Sequence, residues 1–429
     1  MARPHRPRAL WLCAFVVAAS VAMAGCETPI VSGMLLVPPG QPLRADPKSG
    51  PSEQLTGAID DFGLALVKAA RTGTDENVIV SPASVHAALS MTVNGASGET
   101  AQQMRAVLHT GSMSPADANA RWASLLGGLA SRSSDQTLEI ANALWARKGI
   151  AFKKPFVEAD RDYFGAQVSM LDFAKDDVAG AVNGWVSKNT HGMITRMIDK
   201  APPDAILYLA NAVYFKGDWV TPFPYEGTRK EPFTRPDGSK VDVDMMNTTD
   251  QMPYFENAAL RATRLPYKGD AAAYYVMLPK QGVSLDAALA SMTGTGFADM
   301  RTAMTSRGTT EVVLGLPKLD ADFSASLKKP LAAMGMPRAF DQEQAQFSDM
   351  AELGVPIYIG DVIHKTKVKV DEKGTVAAAA TVVSPMAGAA APPVAEPPRI
   401  ICDRPYAFAI VDVKSGAMLF LGTVNDPGK

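Results

Sequence analysis

Near its C-terminal end the chain sets two signals against each other. Asp371-Glu372-Lys373-Gly374-Thr375-Val376 runs into the alanines Ala377, Ala378, Ala379 and Ala380, then Thr381, and from Ser384 to Pro398 almost every residue is Ala, Pro or another small side chain. Alanine suits helices better than strands, and such a composition alone reads as a flexible linker. The segment beyond it cannot stand as a separate unit. Ile400 to Val413, the turn Lys414-Ser415-Gly416 and Ala417 to Val424 read as a hairpin rich in Val, Ile, Phe and Tyr. A lone two-stranded hairpin is marginal in water, so it must pair with the body that precedes the tract. The tract is therefore an exposed loop that leaves and re-enters one domain. Protruding loops with small, unhindered side chains are also where proteases cut.

The length of 429 residues would allow two or three domains, yet no Pro/Gly/Ser linker divides the chain between about Leu55 and Thr381. One large domain over residues 55–429 is the better reading. Hydrophobic residues make up 47% and the formal charge is -2, with no basic stripe interleaved with aromatics, so nucleic acid and anionic membrane surfaces are not implied as partners. The N-terminus differs. Arg3, Arg6 and Arg8 precede an apolar run from Ala9 to Ala24, a secretory signal pattern too short for a comfortable membrane span. Met23-Ala24-Gly25-Cys26 resembles a bacterial lipobox, which would remove residues 1–25 and lipidate Cys26; simple secretion is the alternative. Residues 26–54 would then be the anchor cysteine and a flexible tether. The expected destination is the cell envelope, as an outer-membrane lipoprotein, or the extracellular space. In the body only Cys402 remains, so no disulfide framework can form, and its apolar surroundings predict a buried, inert thiol.

Periodicity predicts helices over Ile59 to Ala70, from Pro82 with Ser81 as its cap, around Thr100 to Leu108, over Ala116 to Leu129, from Pro155 to Phe164 and over Asp176 to Thr190. Later helices are expected over Val283 to Met304 and Phe323 to Met334. Leu138 to Ala146 reads as a strand, and Ala205 to Phe215 as a central one buried on both faces. Short strands are expected from Lys230 to Leu278, with turns at Pro236-Asp237-Gly238 and Lys268-Gly269-Asp270, then Glu311 to Leu316 and Ile357 to Val370. Helices first and strands later, without regular alternation, argue for α+β and against a doubly wound sheet.

His364-Lys365-Thr366-Lys367-Val368-Lys369-Val370, followed by Asp371 to Thr375 and the alanines, resembles the hinge of a serpin's reactive-centre loop. Other blocks similar to serpin sequences stand in order: Asn77 to Ser84, Asn94-Gly95-Ala96, Ala141 to Trp145, Tyr163 to Ala166, Asn211 to Trp219 with Pro222-Phe223, Leu316-Pro317-Lys318 and Asp403 to Tyr406. The resemblance covers about Leu55 to Pro427. It implies a single α+β domain of about nine helices and three β-sheets, with an exposed reactive-centre loop at about residues 375–398. It also implies an inhibitor rather than an enzyme, and no Gly-x-Ser-x-Gly, His-Glu-x-x-His, Cys-x-x-Cys or P-loop stands against that. No metal or cofactor is expected, and the five histidines lack ligand spacing. The partner implied is a serine protease, met by a monomer that touches a membrane only through its lipid. A non-inhibitory serpin fold that carries a ligand or acts as a chaperone is the alternative.

In the mechanism implied, the cut loop inserts into the main sheet and carries an acyl-linked protease with it; serpin loop insertion is a standard example of strand addition. An inserted strand alternates faces, so Thr375, Ala377, Ala379 and Thr381 would point inward and Val376, Ala378 and Ala380 outward. Only small inward residues avoid overpacking, which costs about 1 to 3 kcal/mol per side chain. Gly374 lets the backbone bend, and Glu372 precedes it. From Thr375 to Gly388 the extended chain spans roughly 46 Å, close to the diameter of about 55 Å for a compact chain of this size. Distance from Glu372 places the reactive bond at Gly388-Ala389, with Met386 and Ala387 as alternatives. With no Arg or Lys between Lys373 and Arg399, an elastase-like or subtilisin-like target is favoured. Ser81, Ser84, Asn211 and His364 match the family's shutter cluster, and satisfied core polar groups are the other reading. Trp219, Lys318 and Glu372 match the breach where the loop first enters, with Lys318 and Glu372 as a pair. Lys365, Lys367, Lys369 and Lys373 read as a solvated basic edge, or as a polysaccharide site.

Overall fold

The computed structural model describes residues 34–37, 43–44, 52–71, 75–130, 136–200, 207–351, 357–375 and 396–428. Among these lie nine α-helices and three β-sheets, an α+β architecture. The helices are α1 (Glu53–Arg71), α2 (Pro82–Val93), α3 (Gly98–Val107), α4 (Pro115–Ala130), α5 (Lys154–Phe164), α6 (Val178–Asn189), α7 (Leu285–Ala290), α8 (Gly294–Ser306) and α9 (Lys328–Met334). The first eight strands are β1 (Met34–Val37), β2 (Val78–Val80), β3 (Gln136–Arg147), β4 (Gln167–Leu171), β5 (Leu207–Asp218), β6 (Thr228–Thr234), β7 (Lys240–Met252) and β8 (Tyr254–Glu256). Then come β9 (Leu260–Pro266), β10 (Ala272–Pro279), β11 (Thr310–Pro317), β12 (Leu319–Ser326) and β13 (Ile363–Asp371). The last are β14 (Gly374–Thr375), β15 (Arg399–Ile401), β16 (Tyr406–Asp412) and β17 (Met418–Val424).

The largest sheet has seven strands in the order β1-β4-β3-β5-β14-β13-β12. A six-stranded sheet runs β2-β17-β16-β10-β9-β8, and a four-stranded one β15-β11-β7-β6. The C-terminal hairpin is sealed into the six-stranded sheet, with β16 on β10 and β17 on β2. Every residue of β10, β16 and β17 is buried, which explains their unbroken apolar runs. Tyr274 stacks on Phe408 at 5.0 Å and meets Trp219 edge-on at 5.7 Å, joining this core to the large sheet.

Five local expectations are corrected. Phe323 to Met334 is not one helix: Phe323 to Ser326 belong to β12, and α9 starts at Lys328. Val283 to Met304 divides at Met292-Thr293, where the Thr293 hydroxyl accepts from Gly296 N–H at 3.0 Å and starts α8 afresh. The first arm of the hairpin begins at Tyr406, because Arg399–Ile401 pairs in parallel with β11 instead. Ser81 stands at the N-cap of α2 but makes no cap bond; its hydroxyl donates to Leu419 O at 2.6 Å. Finally, β5 is not buried on both faces, since Asn211, Val213 and Tyr214 are half-buried. On one side β5 pairs with β3 along eleven residues, Leu207 to Gly217, whereas the described ladder between β5 and β13 consists of Gly374 and Thr375.

Candidate functional site

Burial along β13 alternates, with His364, Thr366, Val368 and Val370 inward and Lys365 and Lys367 half-exposed. Lys365 donates to Arg196 O at 2.6 Å, while Lys367 pairs with Asp322 at 3.0 Å and Asp320 at 3.5 Å on β12. At its end the chain reverses through Asp371-Glu372-Lys373-Gly374, held by the Lys373 N–H donating to Asp371 Oδ1 at 2.9 Å. The next two residues pass back between β13 and β5, Gly374 opposite Asp218 and Thr375 opposite Gly217. A Cβ on Gly374 would meet Gly217 O at 2.2 Å and Asp218 Cα at 2.8 Å, so close backbone approach, rather than flexibility alone, demands glycine there.

Around this reversal the residues predicted for the breach converge. Glu372 is only 3% exposed and accepts from Lys318 Nζ at 2.7 Å and Thr228 Oγ1 at 2.8 Å. Burial pushes its carboxyl up, but these hydrogen bonds outweigh that and hold it below the usual carboxylate range. The Trp219 indole donates to Asp371 O at 3.0 Å, and its backbone N–H to Lys373 O at 2.7 Å. Trp219 stacks on Tyr267 at 4.5 Å, and the Tyr267 hydroxyl lies 2.6 Å from Thr375 Oγ1. Thr375 is 2% exposed, so the first residue expected to face inward does so.

The residues predicted for the shutter lie farther along the same seam. Ser84 Oγ donates to Asn211 Oδ1, Asn211 Nδ2 to Asn142 Oδ1 at 2.7 Å, and Asn142 Nδ2 to Phe164 O at 3.1 Å. That relay joins α2, β5, β3 and the end of α5. On the β13 side, His364 Nε2 accepts from Ser81 N–H at 3.0 Å, and the Thr366 hydroxyl donates to Ile79 O at 2.7 Å. Burial pushes the His364 imidazole down to about 4, which keeps it neutral and able to accept. Ser84, Asn211 and His364 share the wall of a cavity of about 60 Å³. The cluster thus divides between the two sides of the seam, with Ser84 and Asn211 on one and His364 on the other.

Tyr267, Asn142, Thr366 and Thr228 are site residues that sequence reasoning missed. Thr366 carried a signal, two positions from His364 on one strand face. Tyr267, Asn142 and Thr228 become partners only through tertiary contact. The hinge residues Val376, Ala377, Ala378, Ala379, Ala380 and Thr381, the bond candidates Met386, Ala387, Gly388 and Ala389, and Cys26 lie outside the described residues. Cys402 is buried with a free thiol, raised by burial as its apolar setting predicts.

The family model described as "Serpin (serine protease inhibitor)" matches residues 57–427. An uncharacterized serpin-like protein of Thermococcus kodakarensis is 33% identical over 387 residues, 89% of this chain and 87% of that one. Iripin-2 of Ixodes ricinus is 32% identical over 380 residues, 87% and 93% of the two chains. Among solved structures, the native state of tengpin, a thermophilic serpin, superposes with a TM-score of 0.82 at 29% identity, covering 92% of this chain and 100% of that one. Serpins are generally protease inhibitors rather than catalysts, and a match over residues 57–427 makes this chain a member of the serpin family.

Proposed function

We propose that the protein inhibits serine endopeptidases as a suicide substrate, trapping the acyl-enzyme by inserting its cleaved loop between β5 and β13. One observation carries the reading: Gly374 and Thr375 already run antiparallel to both strands, with Thr375 buried against Tyr267. The next residues in the chain, Val376 to Thr381, would continue that strand with Ala or Thr at every inward position. Each new ladder bond adds about 0.5 to 1.5 kcal/mol, so a dozen supply on the order of 10 kcal/mol, enough to pull a catalytic site out of register. The target is a protease of small apolar preference, elastase-like or subtilisin-like, acting at Gly388-Ala389 or at Met386 or Ala387. A leader and Cys26 lipidation would hold the inhibitor, as a monomer, at the cell envelope.

Mixing the full chain with elastase or subtilisin is expected to give a complex that survives denaturing gels, and mass spectrometry of the released fragment identifies the bond. The nicked protein should melt well above the intact one. Clean turnover without a stable complex across a protease panel, with no rise in melting temperature after nicking, would defeat inhibition and leave the ligand-carrying serpin fold.

A further inference from the structure

Three helices meet on an acidic group that loop insertion does not use. Asp160 of α5 is 0% exposed. Asn94, at the C-cap of α2, donates through Nδ2 to Asp160 Oδ1 at 3.1 Å, and Asn119 of α4 donates to Asn94 Oδ1 at 2.9 Å. Asp160 Oδ2 is buried without a hydrogen-bond partner among the described residues. No charge faces it from the elements packed there. On α2 the ionisable side chain is His86, bonded to Leu108 O and Ser90; on α4 they are Asp117 and Arg121, bonded to Ser114 and Ser52. The other charged residues of α5 pair with one another, Lys154 with Glu158 and Arg161 with Asp162, and β4 has none.

An ionised carboxylate in that place would keep one amide hydrogen bond, lack a counter-charge and be cut off from water, so the neutral acid is the less costly form. Burial accordingly pushes the Asp160 carboxyl well above the usual carboxylate range, against the smaller pull of Asn94. The same stretch of α5 anchors the relay at the seam. Ala166 N–H donates to Asp160 O at 3.1 Å, and one turn after Asp160 the Phe164 carbonyl accepts from Asn142 Nδ2 at 3.1 Å, the last link from Ser84 and Asn211. We propose that Asp160 is held as the neutral acid and pins α5 to α2 and α4, a joint that weakens as pH rises and so regulates how readily the seam between β5 and β13 opens. Its effect on the seam rests on the insertion reading; its protonation does not.

The test follows urea unfolding of the full chain between about pH 5 and 7. Unfolded, the carboxyl titrates at its ordinary 3.8, so a folded form that keeps the proton loses stability as pH rises above that value. Against Asp160→Asn, which cannot ionise, wild type should fall about tenfold in folding equilibrium constant per pH unit. Asp160→Leu takes its place if Asp160→Asn does not accumulate as folded protein. A difference constant to within about twofold across the range means an ionised Asp160 and overturns the proposal. The seam is read by annealing of a synthetic peptide of residues 375–386, whose rate should rise at least about threefold from about pH 6 to 9 in wild type and stay level in the variant. Parallel rates, with the stability difference present, overturn control of the seam. No annealing in either protein at any pH removes the insertion reading, and the unfolding difference alone then decides the neutral acid.

Discussion

Thr375 is the residue on which the insertion register turns. Its side chain occupies a buried position against Tyr267, so Thr375→Arg would have to bury an unpaired guanidinium, an uncompensated charge that costs several kcal/mol. The expected outcome is conversion from inhibitor to substrate: cleaved serpin in place of stable complex, read as a several-fold rise in the stoichiometry of inhibition. Unchanged stoichiometry would count against the register. His364 carries a pH dependence whose sign is set by burial. Its folded value is about 4 and the ring's ordinary value 6.5, so the unfolded chain binds the extra proton between them. The contribution to stability is complete above pH 6.5 and is lost as pH falls towards 4. His86, buried and lowered to about 4, acts in the same direction. Burial raises Asp60 to about 7, partly offset by Arg301, and its contribution instead fades as pH rises through 7. The whole-protein profile therefore mixes opposing groups, and the difference between wild type and His364→Gln is the informative quantity. That difference in unfolding midpoint should shrink between pH 6.5 and 4; a difference constant across the window would show that His364 does not titrate there. Ser84, Asn211, His364, Trp219, Lys318 and Glu372 could all be named from family blocks, whereas Tyr267 could not. Nothing local distinguishes it from other core tyrosines until β14 brings Thr375 to its hydroxyl.

Elements were legible where one period dominated. α4 matches its amphipathic stretch to within one residue at each end, while α1 ends one residue past the stretch Ile59 to Ala70 but begins six residues before it, at Glu53. β12 misled because Phe323 to Met334 ends in good helix formers. The determining pattern lies upstream, with Leu319 and Ala321 buried and Asp320 and Asp322 facing out to meet Lys367. A register set by a neighbouring strand outranks propensity. The same contact gives Lys367 of the basic edge carboxylate partners within the sheet. The break between α7 and α8 also had a readable cause, since Thr293 caps the second helix and Asp61 Oδ1 accepts from Gly294 N–H at 2.7 Å. Thr293→Ala removes one of these two bonds and should cost about 1 kcal/mol, measurable as a shift in the midpoint of the first urea transition without change in its slope. A shift below a few tenths would mean that Asp61 alone holds the junction.

For the whole molecule, the argument that the hairpin must belong to the preceding body was sound because its physical basis is global. Two apolar strands need a sheet, and β10 and β2 supply it. What the sequence could not carry was the partition at the loop's far end. Arg399–Ile401 reads as the start of the hairpin, yet it lies parallel to β11, with Val313 N–H donating to Pro398 O at 3.0 Å and Cys402 N–H to Gly315 O at 2.8 Å. This short strand moors the loop from behind. If the insertion reading holds, a severed loop could enter the large sheet and leave β15 where it is, whereas uptake of an uncut one would pull on those three residues. Cys402, sheltered at the foot of β15, then becomes a witness to which route was taken. In a background carrying Cys13→Ser and Cys26→Ser, a thiol reagent should stay excluded after protease nicking and label the protein as the uncut loop is taken up. Equal labelling by both routes would mean that β15 does not hold the line.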